Sequence, residues 1–103
     1  MLTTLQTGLI ALKSSTASAT KPGNTETFSQ ITFPAPFQEG AKVVVIPFVQ
    51  TFNGPDTPGV RISDVTPTGF KIRMNELVAL GGEQPLSNGI HCAEQIGWIA
   101  FEV

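Results

Sequence analysis

The stretch that most constrains the fold of this chain is residues 65–76, which read V-T-P-T-G-F-K-I-R-M-N-E. From position 70 onward every second residue is apolar. The apolar set is Phe70, Ile72 and Met74, and the polar set between them is Lys71, Arg73 and Asn75. A period of two is typical of a β-strand with one buried and one solvated face. Pro67 and Gly69 before it predict a tight turn, with Gly69 at a position that often needs positive φ.

An alternating segment also precedes this turn, from Val60 to Val65. The two segments and the turn therefore predict a β-hairpin with a polar outer face. Arg61, Lys71 and Arg73 are expected on that face. They would either be solvated or contact a ligand or a neighbouring protomer, because the planar fork of arginine suits bidentate recognition of hydroxyl or carboxylate pairs.

The rest of the chain supplies four more predicted strands, over residues 5–12, 28–33, 42–52 and 95–103. Long loops are expected over residues 14–27, with a turn at Pro22-Gly23-Asn24, and over residues 79–92. Gly8 weakens the first strand or marks a bulge in it. The run V-V-V-I at 43–46 is typical of a strand buried on both faces, whereas Pro47 indicates an edge or a bulge.

Composition agrees with an all-β domain. The 103 residues make one domain, residues 1–103, with only 14% charged residues, 10 Gly, 8 Pro and no helical periodicity. These features predict a small β-sandwich of about six strands. A net charge of −2 gives no electrostatic footprint for nucleic acid.

Neither a membrane span nor a signal peptide is expected from the sequence. No apolar run reaches the roughly 18 residues of a membrane span, so membrane insertion is not expected. No basic residue precedes the apolar run in residues 1–12, so a signal peptide is not expected. An extracellular or virion-associated protein of this kind would leave its cell by another route, such as lysis or dedicated secretion. The single cysteine, Cys92, excludes an intrachain disulfide and is expected to be an inert, semi-buried thiol.

Several segments, in this order, carry a family resemblance. They are L-Q-T-G at 5–8, I-T-F-P-A-P-F at 31–37, the valine run, V-T-P-T-G-F-K at 65–71 and I-G-W-I-A-F at 96–101. Together they resemble the H-type lectin domain of snail agglutinins and slime-mould discoidins, nearly from end to end. The resemblance implies a six-stranded antiparallel sandwich that assembles as a homotrimer and often stacks into a hexamer. It also implies clefts between protomers that bind galactose or N-acetylgalactosamine glycans. No cofactor is expected.

The family's snail members build the sugar site from three places. The first is a Gly-Asp pair in the loop before the second strand. Gly23 matches the glycine, and Asn24 or Thr25 stands at the aspartate position.

The other two places are an arginine on the fourth strand and a Trp-His pair at the end of the fifth. Without a gap the arginine position falls on Thr57, and the nearby arginine is Arg61. The Trp-His pair falls on Leu77-Val78.

Glu76, His91 and Glu94 form a second candidate cluster, on the expectation that strands five and six pair. One interpretation is a charge-assisted hydrogen-bond cluster that holds the long loop, and the other is a sugar- or metal-binding rim. A glycosidase carboxylate pair or a zinc site is a more distant alternative. Because no Ser-His-Asp order, phosphate loop or cysteine pair is present, the chain is not expected to be an enzyme.

Trp98 and the loop after the third predicted strand have simpler interpretations. Trp98, with small neighbours, is expected in the core or an interface. The loop containing Asn53, Asp56 and Thr57 is expected to use these residues for turn formation, although such loops also bind sugars.

The resemblance therefore implies a carbohydrate-binding homotrimer. Its candidate sugar-binding residues are Gly23, Asn24, Arg61, Arg73, Glu76 and His91. The alternative is a structural trimerisation or receptor-binding module of a phage tail or injection apparatus, without the family's sugar specificity.

Overall fold

The computed structural model describes residues 5–15, 21–76 and 90–103. Within these ranges the chain forms six antiparallel strands and no helix. The strands are β1 (Leu5–Ser14), β2 (Ser29–Thr32), β3 (Val43–Val49), β4 (Pro58–Thr66), β5 (Gly69–Glu76) and β6 (His91–Glu102). The all-β, six-strand prediction is confirmed. No helix of the described residues has the length and apolar character to cross a membrane.

The strands form two three-stranded sheets. The first sheet has the order β1-β6-β3 and the second has the order β2-β5-β4. The prediction that strands five and six pair is wrong, since each is the central strand of a different sheet. The backbone of β6 bonds to β1 along one edge and to β3 along the other, so no edge is left for β5.

The predicted hairpin is formed by β4 and β5. Its register runs from Pro58 opposite Glu76 to Thr66 opposite Gly69, with a shift between Ser63 and Thr66. Asp64 takes a positive φ of 51° at this shift, where β4 carries one residue more than β5 opposite it, as in a β-bulge. Before the shift the even-numbered residues Val60 and Ile62 pack against the core. At the shift the odd-numbered residue Val65 packs against it instead.

The turn of this hairpin packs on the segment that follows β2. Thr66 Oγ1 accepts a hydrogen bond from the Thr68 amide, at 3.2 Å, which stabilises the turn. The carbonyls of Pro67 and Thr68 then accept hydrogen bonds from the amides of Phe37 (2.8 Å) and Phe33 (2.9 Å). The T-P-T-G sequence thus joins the hairpin to residues 33–37.

Gly69 has a different role from the one predicted. Among the described residues, φ is positive at Gly23, Gly40 and Asp64, and it is not positive at Gly69. A Cβ at position 69 would instead lie 2.1 Å from the carbonyl oxygen of Ile31. Gly69 is therefore required because β2 approaches closely, and not because the turn is left-handed.

The core lies between the two sheets. Its buried members are Phe33, Phe37, Val45, Phe70, Ile72, Met74, Ile96, Trp98 and Ala100. The ring of Trp98, from the first sheet, lies 5.4 Å from that of Phe70 in the second and 5.7 Å from that of Phe33. Trp98 is a core residue, in agreement with the sequence. Its buried Nε1–H has no hydrogen-bond partner among the described residues, so packing alone holds the indole.

Gly8 lies directly opposite Trp98 in the register of β1 and β6. A Cβ there would be 2.3–2.4 Å from three atoms of the indole ring. The register is regular around Gly8, and the irregularity of this pair lies between Leu12 and Ser14. Gly8 does not mark a bulge; it leaves room for the indole.

The valine run is not buried on both faces. Val44 and Ile46 are 39% and 48% exposed, whereas Val45 is only 6% exposed. Among the described residues β3 pairs with β6 alone, so it is an edge strand with one face open. This agrees with the edge that Pro47 indicated.

Substituting Gly8→Ala should lower the free energy of unfolding by about 1–3 kcal/mol, because the new methyl group overpacks against Trp98. Gln38, exposed in the segment between β2 and β3, provides the control, and Gln38→Ala should change the free energy of unfolding by less than about 0.5 kcal/mol. Urea denaturation followed by tryptophan fluorescence measures both. Equal effects of the two substitutions would contradict the Trp98–Gly8 contact.

Candidate functional site

An open cleft of about 130 Å³ lies between the segment before β2 and the strand β4. We call it the β4 cleft; it is lined by Lys21, Pro22, Gly23, Asn24, Thr25 and Phe28 on one side and by Arg61, Ile62 and Ser63 on the other. Three of the predicted sugar-binding residues, Gly23, Asn24 and Arg61, are among these. The structure thus brings together residues that are 37 or more positions apart in sequence.

Turn chemistry shapes one wall of the β4 cleft. The Asn24 amide donates to the Lys21 carbonyl at 3.1 Å, and Gly23 has a φ of 84°. Proline followed by a glycine of positive φ is the sequence preference of a type II turn, so the predicted Pro22-Gly23-Asn24 turn is confirmed. The Asn24 Oδ1 accepts from the Glu26 amide at 3.1 Å. These bonds fix the backbone beside Arg61.

Lys71 anchors this wall to the hairpin. Its Nζ donates to Thr25 Oγ1 at 3.1 Å and lies 3.2 Å from Asp64 Oδ2. Asp64 is the residue of positive φ in the bulge, so the bulge presents the carboxylate that neutralises Lys71. The polar outer face of the hairpin therefore holds a loop in place, in addition to meeting solvent.

Arg73 lies apart from the β4 cleft. It was expected on a polar outer face, but it is only 4% exposed. Its Nε donates to Asn75 Oδ1 at 2.7 Å and its Nη2 donates to Ser14 Oγ at 3.3 Å. Ser14 ends β1 of the first sheet, so Arg73 links the two sheets. It also lines a second cleft, of about 170 Å³, with Ser14 and Ser29.

His91 and Glu94 form a buried pair at the start of β6. Glu94 is 1% exposed and His91 is 6% exposed, and His91 Nε2 lies 2.7 Å from Glu94 Oε2. The strand begins at His91 and not at residue 95 as predicted, which places both residues on β6. The sequence correctly grouped them.

Glu94 also holds the loop after β3. Its Oε1 accepts from Thr51 Oγ1 at 2.7 Å and from the Asn53 amide at 3.0 Å. Its Oε2 accepts from the Gly54 amide at 3.2 Å. These contacts form the predicted charge-assisted hydrogen-bond cluster. The loop that they hold is the one after β3. The sequence had indicated the loop before β6.

The donors around Glu94 control its ionisation. The hydrogen bond from His91 is the largest cause, followed by that from Thr51, and burial opposes both. The amides of Asn53 and Gly54 add to the two side-chain hydrogen bonds. The four bonds outweigh burial, and the pKa of Glu94 is lowered from 4.5 to about 2. A carboxylate that accepts several hydrogen bonds stays ionised because each donor favours the charged form.

Cys92 lies beside this pair. Its sulfur, the His91 ring and the Glu94 carboxylate have ligand atoms within 4.8 Å of one another. Both oxygens of Glu94 already accept hydrogen bonds from protein donors, so a metal ion would have to displace them. Cys92 is exposed and not semi-buried as expected.

Glu76 ends β5 opposite Pro58, and its side chain lies outside the described part of the structure. Leu77 and Val78, at the positions of the family's Trp-His pair, also lie outside the described residues.

Comparison of the chain with protein-family models, curated proteins and solved structures gives no match.

Sequence reasoning missed Lys21 and Ser63 as cleft residues, and it missed Thr51 as a partner of Glu94. Lys21 precedes a recognisable Pro-Gly turn, so its place beside that turn could have been found. Thr51 and Glu94 are 43 positions apart, and no local pattern connects them.

The stability of the protein should fall as the pH drops from about 5 towards 2. Because Glu94 has a lower pKa folded than unfolded, its contribution is complete above pH 4.5 and is lost on acidification towards its folded pKa of about 2. The variant Glu94→Gln should show a smaller fall over this range, with a melting temperature lower by roughly 5–10 °C at pH 7.

Scanning calorimetry between pH 2 and 7 measures this effect. Glu102→Gln, at an exposed position of the same strand, is the matched control and should keep the wild-type profile. An identical pH profile for wild type and Glu94→Gln would contradict the assignment.

Proposed function

We propose that this chain is a carbohydrate-binding module of the H-type lectin kind. It acts as a homotrimer that binds galactose or N-acetylgalactosamine glycans, with one site in the β4 cleft of each protomer and not between protomers as the resemblance implies. One observation carries the proposal: Gly23, Asn24 and Arg61, chosen by resemblance, line the same cleft. Gly23 and Asn24 are neighbours in sequence, and Arg61, 37 positions after Asn24, lies on the opposite wall of the same concave site.

The chemistry of the β4 cleft supports a sugar ligand. Asn24, Thr25 and Ser63 supply amide and hydroxyl groups, and Phe28 and Ile62 supply apolar surface. Small-molecule sites commonly combine an apolar lining with a few placed polar groups. A sugar ring has the same division between its hydroxyl edge and its C–H face.

The outer face of the first sheet supports self-assembly. Aligned by register, its rows are Leu5, Phe101 and Val44, then Thr7, Ile99 and Ile46, then Leu9, Gly97 and Phe48. None of these nine residues is charged. Leu5, Leu9, Ile46 and Phe48 are between 38% and 64% exposed. A contiguous exposed apolar patch marks an interaction surface.

The same outer face favours a second candidate, a structural trimerisation module of a phage tail or injection apparatus. Such a module would need the apolar interface and would not need the cleft. The two candidates therefore differ in whether sugar binding accompanies assembly.

Sugar binding separates the two candidates. On a glycan array the protein should bind terminal galactose or N-acetylgalactosamine. Arg61→Ala should weaken the binding more than about tenfold, because hydrogen bonds from a charged group to a ligand contribute strongly. Its melting temperature should stay within about 2 °C, as is usual for an exposed residue.

Lys42→Ala removes an exposed cation that does not line the β4 cleft, and it should bind as wild type does. A trimer that binds no glycan on the array would favour the structural module.

Assembly is tested by light scattering coupled to size exclusion. Wild type should elute with the mass of three chains, and Ile46→Lys should yield monomers because it places a charge in the apolar face. Phe52→Lys is the matched control, since Phe52 is 88% exposed in the β3–β4 loop and lies outside that face. A monomeric wild type at micromolar concentration would contradict the trimer.

A further inference from the structure

The β4 cleft carries two positive charges. Lys21 lies on its loop side and Arg61 on its β4 side. Among the described residues neither side chain has an ion-pair partner. No aspartate or glutamate is among the described residues that line the cleft. This positive site stands out in a chain whose net charge is −2.

The nearby lysine shows the contrast. Lys71 Nζ lies 3.2 Å from Asp64 Oδ2, so its charge is neutralised within the protein. Two acids adjoin the cleft in sequence, Asp64 after Ser63 and Glu26 after Thr25. Asp64 is paired with Lys71, and Glu26 is not among the lining residues. The acids near the cleft therefore leave Lys21 and Arg61 available to a ligand.

The remaining groups of the cleft suit a sugar that bears an anion. The guanidinium of Arg61 presents a planar set of donors that fits a carboxylate or sulfate bidentately. With Asn24 Oδ1 occupied by the Glu26 amide, the Asn24 Nδ2 hydrogens are left to donate to a hydroxyl. A volume of about 130 Å³ is below the roughly 300–1,000 Å³ of sites for drug-sized ligands. It fits one terminal residue better than an oligosaccharide.

We propose that the β4 cleft binds an anionic sugar, a terminal residue whose carboxylate or sulfate group lies between Lys21 and Arg61. The inference rests on the proposed carbohydrate-binding function and specifies its ligand class. It predicts that the anion contributes more to affinity than the ring configuration does.

Galactose and galacturonic acid form a matched pair of probes, because they differ only in the carboxylate at C6. Isothermal titration of the full chain should show galacturonic acid binding at least about tenfold more tightly, as a charge-assisted hydrogen bond would give. Raising the salt from about 0.05 to 0.5 M should weaken galacturonate binding several-fold, because salt screens exposed charges. Galactose binding should not change.

Lys21→Gln and Arg61→Gln should each remove most of the preference for the acid. Lys42→Gln changes the net charge by the same amount at an exposed site away from the cleft, and it should keep that preference. Melting temperatures of the three variants, each within about 2 °C of wild type, would separate lost binding from lost folding.

Galactose 6-sulfate and inorganic sulfate complete the experiment. Preference for the sulfated sugar over both galactose and galacturonate would support the proposal and identify the anion as a sulfate ester. Inorganic sulfate binding as tightly as either acidic sugar would mean an ion site only and would overturn it.

Equal binding of galactose and galacturonate would overturn the anionic preference and leave the proposed sugar binding intact. Binding of neither acidic sugar would also overturn it. The proposed function itself fails only if neutral and acidic glycans alike are unbound.

Discussion

The packing of Trp98 across Gly8 is the contact on which the rest of the fold depends. It lets the indole reach from the first sheet to Phe70 in the second and to Phe33 beside the hairpin turn. Phe33 also donates its amide to the turn carbonyl of Thr68. The tryptophan, the turn and the hairpin are therefore one connected unit. The hairpin in turn supplies the β4 wall of the cleft.

Charged residues divide into two groups with different consequences. Glu94, Lys71 and Arg73 are each satisfied by partners within the chain, and each holds a loop or joins two elements. Lys21 and Arg61 line a cleft without such partners among the described residues. Satisfied buried charges preserve one conformation, whereas unpaired exposed charges are available to a ligand. Under the proposed function, recognition is concentrated in the β4 cleft.

Much of the fold could be predicted because its signals are local. The alternation after Phe70 and the turn formers around Pro67 specify the hairpin without tertiary information. The exposed face of β3 could not be predicted, because four consecutive apolar residues look alike in an edge strand and a central strand. Strand order could not be predicted from the sequence either, because the pairing of β6 with β1 and β3 is set by contacts between distant segments. For the site, resemblance pointed to Gly23, Asn24 and Arg61, while the burial of Arg73 depends on Ser14, 59 positions away.

The central claim is that the β4 cleft is the sugar site, and a two-dimensional ¹H–¹⁵N spectrum recorded during titration tests it most directly. With galactose and galacturonic acid as probes, the account predicts saturable shifts confined to the amides of residues 21–28 and 61–63. Shifts confined to the outer face of β1, β6 and β3, or none at millimolar sugar, would contradict it.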